Sequence, residues 1–236
     1  MKTLLFPALL ALAALTPALG QTTPQVRSVG AFHAIKVGSG ISLDLTAGHT
    51  QRVEVSATAD GFRDHISTSV EGGVLNIRYD NPDDRNGQER SRQHVQLRVV
   101  VTADQLTALT AGSGSAVRAT GNVAADQEFQ LDVSSGAVCK ADLTTATLTV
   151  RESSGSVVAL SGQANRLDLE VGSGAIFKGQ DLQTDHCRAQ ASSGSMVKIA
   201  VKDDLVANAS SGSSISYSGS PQVTKHVSSG ASVRGH

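Results

Sequence analysis

The sequence predicts an all-β fold of the parallel β-solenoid type, in which each repeat forms one coil that stacks on the coil before it. A Ser/Gly tripeptide occurs eight times in the 236 residues, and the closing glycines of the last seven copies are 22, 19, 19, 20, 18 and 18 residues apart. Apolar residues alternate with polar ones on both sides of these tripeptides. A regular step near 19 residues combined with period-2 alternation is typical of stacked coils with a buried interior.

The first 20 residues are predicted to be a signal peptide. Lys2 is followed by the apolar run Leu4–Leu15, and Ala18-Leu19-Gly20 supplies the small residues of a cleavage site. The apolar run is short for a membrane span and no second run follows. We therefore expect an exported chain, either periplasmic or extracellular at the cell surface, that does not span a membrane after processing. The remaining residues divide into a linker, 21–27, and a single solenoid domain, 28–236.

One coil can be followed from Phe129 to Val150. Phe129, Leu131 and Val133 alternate with polar residues, as in a strand with its apolar side inward. A tripeptide then turns the chain, because glycine adopts positive φ without steric cost and serine can hydrogen-bond the local backbone. The closing glycines are therefore predicted to be structural turn residues: Gly40, Gly114, Gly136, Gly155, Gly174, Gly194, Gly212 and Gly230.

The part of the chain before Gly112 is β-rich but less regular. Its strands alternate in the same way, and no Pro- or Ser-rich linker separates it from the repeats. The charged segment Asp80–Gln93 interrupts this part and is predicted to be a mobile loop. We expect irregular early coils that belong to the same domain.

The two cysteines are predicted to be buried free thiols. Cys139 and Cys187 both take inward positions of the repeat, on different walls of the solenoid. They are also separated by about two and a half coils, roughly 12 Å at ~4.8 Å per stacked strand, which exceeds the Cα separation of a disulfide.

Phe32–Gly40, Gly73–Ile77, Leu106–Gly114 and the serial Ser-Ser-Gly turns resemble the head GIN-domain family of auto-transporter adhesins. The resemblance covers roughly residues 28 to 233. It implies a right-handed β-helix-like fold in exported bacterial proteins, and it brings no established catalytic residues. The sequence ends six residues after its last turn, so we expect no translocator barrel in this chain.

Composition excludes several functional classes. The formal net charge is −1, or −2 without Lys2, so the basic footprint of a nucleic-acid-binding protein is missing. The seven histidines show no metal-ligand spacing, and no serine gains a His/Asp partner. We expect no catalytic residues, no cofactor and no metal.

The strongest alternative function is that of an enzyme, and it rests on the outward residues two and four positions before the tripeptides. Acidic and basic side chains there could form the site of a polysaccharide lyase or hydrolase: Asp132, Asp168, Glu170, Arg151 and Arg188. We favour a solubilising surface, since the signs alternate from coil to coil and no carboxylate pair stands out. Such sites also use aromatic platforms, for which the candidates are Phe62, Tyr79 and Tyr217.

A basic row follows the turns; it is formed by Arg118, Lys140, Lys178, Lys198 and Arg234 and is broken by Ala159 and Ser216. It could meet an acidic glycan or a membrane, but we favour a charged edge that discourages aggregation. The leading hypothesis is a non-enzymatic, adhesin-like binding module. Its ligand would be a glycan or a cell-surface protein held on the outer faces or on Asp80–Gln93. The last coil should be covered by the N-terminal strands or closed by self-association, as in a homo-oligomer.

Overall fold

The structure, a computed structural model, describes residues 23–59, 61–84, 88–92 and 94–236. The predicted signal peptide lies outside these residues. The described part is all-β, with about seven solenoid turns of ~19 residues each, as the sequence predicts. Its seventeen strands are β1 (Gln25–Arg27), β2 (Ala34–Val37), β3 (Ser42–Ala47), β4 (Arg52–Ala57), β5 (Ile66–Glu71), β6 (Val74–Tyr79), β7 (Leu97–Ala103), β8 (Ala108–Ala111), β9 (Ala116–Thr120), β10 (Glu128–Val133), β11 (Val138–Glu152), β12 (Val157–Val171), β13 (Ile176–Ala191), β14 (Met196–Ala209), β15 (Ser214–Ser218), β16 (Gln222–Val227) and β17 (Ser232–Gly235).

Each coil has two walls that meet at a tripeptide corner. Wall A is formed by strands that lead into the corners and wall B by strands that leave them. The long strands β11 to β14 begin on wall B, bend, and end on wall A. Parallel pairing in register places equivalent residues of successive coils on top of one another, for example Leu148, Leu167, Cys187 and Leu205. The predicted stacking of the repeats is thus confirmed.

All eight corners share one backbone conformation. The closing glycines have φ between 67 and 72°, and the residue before each of them, always a serine, is also left-handed, with φ between 49 and 58°. The glycine N–H donates to the serine carbonyl of the next coil, as from Gly136 to Ser154 and from Gly212 to Ser229, both at 3.0 Å. The corners therefore form a continuous hydrogen-bonded ladder along the axis.

The first coil in the chain is not the first coil in the stack. β2 lies between β6 and β8 on wall A, and β3 lies between β7 and β9 on wall B, all of them parallel. The chain between β6 and β7, described at residues 80–84, 88–92 and 94–96, takes the place of a tripeptide corner. It carries a 3₁₀ turn (Pro82–Asp84) and the short helix α1 (Gln88–Arg92).

The N-terminal end of the stack is covered by reversed strands. β5 pairs antiparallel with β6, and β4 pairs antiparallel with β7. β1 continues wall B by pairing antiparallel with β4, so the sequence expected to be a linker contains a strand. Because β1, β4 and β5 all lie at this end, the expectation that N-terminal strands cover the last coil is wrong for the described residues.

The interior is filled by stacked Val, Leu, Ile and Ala side chains in one continuous cluster. Cys139 and Cys187 belong to this cluster as buried free thiols, in agreement with the sequence. Burial raises the pKa of each thiol to about 12, with a further increase from Glu152 at Cys139 and from Asp168 at Cys187. Neither thiol is therefore ionised, and hence nucleophilic, at neutral pH.

Candidate functional site

A shallow groove runs along the solenoid axis beside the corners of wall A, and we call it the corner groove. Two concavities of about 400 and 270 Å³ share Glu170 and Ser192 and so form one trough. One side is the row of outward residues two positions before each corner, namely Asp132, Arg151, Glu170, Gln190, Asn208 and His226. The other side is the row of first corner residues, namely Ser134, Ser153, Gly172, Ser192, Ser210 and Ser228.

The fold explains why this groove is polar and straight. Strand alternation turns every second side chain of wall A outward, and parallel register repeats that position at about 4.8 Å per coil. Buried serines hold the backbone beneath the trough. Ser195 Oγ donates to the Val171 carbonyl at 2.9 Å, and Ser213 Oγ donates to the Ala191 carbonyl at 2.8 Å. The spacing of groups along the groove is therefore set by the backbone ladder.

The first half of the corner groove is charged, and part of its charge is already paired. Arg151 Nη1 lies 3.8 Å from Asp132 Oδ1, and Gln130 Nε2 donates to Asp132 Oδ2 at 2.7 Å. Glu170 is exposed one coil further on. Asp132 is thus held by its neighbours rather than poised as an acid or a base.

The second half is neutral at its centre. The side chains of Gln190, Asn208 and His226 make no hydrogen bond with any described residue, although their backbones pair in the sheet. Beside them the hydroxyls of Ser192, Ser210 and Ser228 form the opposite edge. Amide, imidazole and hydroxyl groups at regular spacing provide both donors and acceptors to a ligand that carries many hydroxyls.

Glu152 is the one carboxylate that takes an inward position at a corner of the stack as described. Its side chain is 3% exposed, and Ser156 Oγ donates to Glu152 Oε1 at 3.3 Å, while Oε2 has no hydrogen-bond partner among the residues that the structure describes. Burial raises the pKa of Glu152 from 4.5 to about 7, although the Ser156 hydrogen bond opposes the shift. This group is destabilising when ionised, and it lies beneath the corner groove, whose lining includes it.

The structure brings some of the predicted site residues together and separates others. Asp132, Arg151 and Glu170 meet in the corner groove, but Asp168 and Arg188 lie one outward row away, facing each other on adjacent coils. The groups proposed for a polysaccharide-cleaving site are thus spread over two rows. Within the described residues no cluster of His, Cys, Asp or Glu could hold a metal ion.

The aromatic candidates are not part of the groove. Phe62 is buried and stacks on Tyr79 with ring centroids 6.3 Å apart, and the Arg90 guanidinium covers Tyr79 at 5.1 Å. Tyr217 is half-buried and lines a separate concavity of about 210 Å³ with Lys198. The corner groove therefore lacks an aromatic platform.

Gln190, Asn208 and His226 occupy the outward position two residues before their tripeptides, which the sequence shows, but their place in a groove is not apparent from the sequence. Sequence reasoning also missed the first serines of the corners, which it treated as turn residues alone. The register of these residues was readable from the 19-residue step. The depth of the trough depends on how the corner bends, which the sequence does not express.

No described helix has both the length and the apolar character needed to cross a membrane. Sequence comparison matches residues 31–221 to the family described as putative auto-transporter adhesin, head GIN domain. The match covers most of the chain, which therefore belongs to this family, as the sequence motifs predict. A comparison with curated proteins finds no match.

Solved structures share the fold at low sequence identity. A putative adhesin from Bacteroides fragilis is 16% identical, with a TM-score of 0.78 and coverage of 93% of this chain and 97% of that one. A protein from Parabacteroides distasonis, named a putative lipid binding protein, is 13% identical with a TM-score of 0.67, covering 92% and 97%. A putative adhesin from Parabacteroides merdae is 14% identical with a TM-score of 0.65, covering 92% and 96%. Both the family and these similar structures carry names of binding proteins rather than of enzymes.

Proposed function

From membership of the adhesin head family, we propose that this chain is an exported, non-enzymatic binding module that holds an extended glycan in the corner groove. The observation that carries the proposal is the regular ladder of unengaged polar groups at Gln190, Asn208 and His226. Its step of about 4.8 Å is close to the length of one pyranose residue in an extended glycan. Each coil can therefore present one amide or imidazole and one hydroxyl to each sugar.

The groove suits binding better than cleavage. Hydrolysis needs an acid and a second carboxylate on opposite sides of the scissile bond, at a defined separation. Here Asp132 is paired with Arg151, and Asp168 lies outside the trough. Retention without chemistry is what an adhesin-like module at a cell surface or in the periplasm requires.

A glycan-array screen followed by calorimetric titration of the best ligand tests the proposal. Replacing Gln190 and Asn208 together by Ala removes hydrogen bonds worth about 1 kcal/mol each, so affinity should fall about 10- to 30-fold. The matched control replaces Gln163 and Gln183, stacked amides away from the groove, and should leave affinity unchanged. Equal losses of affinity in both double variants would show that the ligand does not bind in the corner groove.

The rival function is a carbohydrate-active enzyme, and the clustering of Asp132, Arg151 and Glu170 is the observation in its favour. Incubation of the protein with acidic and neutral polysaccharides, followed by size analysis, separates the two. We expect no shortened product. Product that disappears in the Glu170→Gln variant would replace the binding proposal with the enzymatic one.

A further inference from the structure

Wall B carries an exposed apolar row that the sequence analysis did not single out. Directly after the corners, outward side chains stack in register, and the row consists of Val138, Val157, Ile176 and Met196. Val138 is 47% exposed and Met196 is 45% exposed, and the two between them are half-buried. At about 4.8 Å per coil the apolar row is about 14 Å long.

The basic row lies beside it, two residues further along each strand. Its members are Arg118, Lys140, Lys178, Lys198 and Arg234, all of them exposed. None of the five makes an ion pair with a described residue, whereas Arg98 on the same wall pairs with Asp44 at 2.7 Å. Asp44 stands in the same outward row, in register with Arg118, and the next outward row contains Asp142 and Asp181. Five cations therefore stand beside three carboxylates, and the basic row retains an excess of positive charge.

The apolar row next to the basic row helps to choose between a charged edge, an acidic polymer and a membrane surface as the explanation of the basic row. A charged edge that only prevents aggregation gains nothing from neighbouring Val, Ile and Met side chains, which promote association. A soluble acidic polymer would engage the cations but would leave the apolar row in water. A surface that offers phosphate groups next to hydrocarbon satisfies both rows at once.

We propose that wall B docks on the surface of an anionic lipid bilayer, with the apolar row at the level of the headgroups and the basic row against lipid phosphates. Because coils stack at a constant step, the two rows are straight and parallel to the solenoid axis. The module would therefore lie along the membrane rather than stand on it. The proposal does not depend on a ligand in the corner groove of wall A.

Co-sedimentation with lipid vesicles tests this docking. The chain from Gln21 onward contains the whole solenoid and avoids the apolar run Leu4–Leu15, which would bind vesicles by itself. We expect binding to mixed phosphatidylcholine–phosphatidylglycerol vesicles and little binding to phosphatidylcholine alone. Binding of equal strength to both vesicle types, or to neither, would overturn the proposal.

Charge reversal at matched positions gives the decisive comparison. The double variant Lys140→Glu with Lys178→Glu should lower the apparent partition constant on mixed vesicles by about tenfold or more. The control Arg78→Glu with Arg166→Glu changes the net charge equally but lies off wall B, and it should bind as the unmodified chain does. Equal losses in both variants would show nonspecific charge attraction and overturn the docking face.

The apolar row needs its own variant. Replacing Val138, Val157 and Ile176 by Thr keeps β-branched residues in the strands, so folding should be retained. We expect binding to mixed vesicles to weaken several-fold and the remainder to be abolished by high salt. Unchanged binding in this variant, or tighter binding to a soluble polyanion than to vesicles, would identify an acidic polymer as the occupant instead of a membrane.

Discussion

The two ends of the solenoid are closed in different ways. At the N-terminal end the reversed strands β4 and β5 cover the stack, and Arg90 Nη1 donates to the Ser39 carbonyl at 2.7 Å. In every later coil that serine carbonyl accepts from a glycine N–H of the preceding corner. Arg90, which lies between β6 and β7, thus supplies the hydrogen bond that a tripeptide corner of that coil would have given.

The C-terminal end has no such cover among the described residues. Val227 takes the same inward position as Ala209, yet Val227 is 46% exposed and Ala209 is 3% exposed. Beside it, Lys225 stands at the register position that Leu169, Ala189 and Ala207 fill in the interior. An inward-pointing charge on an edge strand opposes edge-to-edge pairing. One end is therefore closed by structure, and the other is protected by charge.

The largest expected effect on stability comes from a lysine at the interior position that corresponds to Lys225 of the open end. Leu169→Lys should lower the free energy of unfolding by about 3–5 kcal/mol, because an unpaired ammonium would enter a dry core. Chemical denaturation measures this, and Leu169→Met is the control, with a cost below about 1.5 kcal/mol. Retained stability in Leu169→Lys would contradict the inward assignment.

Removing the substitute hydrogen bond should weaken the closed end. Arg90→Ala deletes a charge-assisted hydrogen bond and the contact with the Tyr79 ring, at a cost of about 2 kcal/mol. Arg78→Ala, an exposed arginine on neighbouring β6, should change stability by less than about 0.5 kcal/mol. Thermal unfolding of both variants measures the difference, and equal melting temperatures would show that Arg90 does not close this end.

The pH dependence of stability tests the interior between the two ends, because Glu152 is buried there. Its pKa is about 7 in the folded chain and 4.5 in the unfolded one, so the folded state favours the protonated carboxyl. The wild-type chain should be most stable below pH 4.5 at this site and lose stability as pH rises through about 7. Relative to Glu152→Gln, we expect a loss on the order of 1–2 kcal/mol after screening near the corner. A stability difference that is independent of pH would refute the burial of an ionisable Glu152.

Thiol labelling compares the interior with the open end without affecting stability. Cys139 and Cys187 should react with a thiol reagent only after unfolding, and both should then react without prior reduction. An additional cysteine placed by Val227→Cys should react within the folded state. Rapid labelling of the native cysteines, or absence of free thiol in the unfolded chain, would count against the stack as described.

The smallest effect on the monomer is expected from Lys225→Leu, which should leave stability within about 0.5 kcal/mol but promote self-association. Sedimentation velocity across a range of concentrations measures the association state of both proteins. An unchanged distribution would mean that Lys225 does not protect the end. Self-association of the unmodified chain through this end stays a prediction.

The repeats were predictable because the cues are local. Glycine at each corner and alternation around Leu131 and Leu167 assign the inward rows, and the same register places both cysteines. The order of the first coils was not predictable. Parallel and antiparallel strands alternate alike, so β4 and β5 carry no mark of their reversal, and the insertion of β2 between β6 and β8 depends on long-range pairing.

The candidate site was predictable only in part, for a related reason. The sequence orders Asp132, Arg151, Glu170, Gln190 and Asn208 into one outward row, but it does not show that this row borders a trough beside the corners, each of which contains a left-handed serine. That serine conformation is stabilised by the ladder of neighbouring coils rather than by serine itself. Likewise, the register of the repeat assigns Lys225 to an inward position. Its protective role at the edge follows only from the structure, in which β16 is the last strand of wall A.

Amide hydrogen exchange, followed by mass spectrometry under native conditions, tests most directly whether one end of the stack is closed and the other open. We predict that amides of β16 and β17 exchange through the lowest-energy openings, while β6 and β7 are protected as well as β11 to β13. Equal protection of β16 and the central strands, or earlier exchange of β6 and β7, would contradict the account.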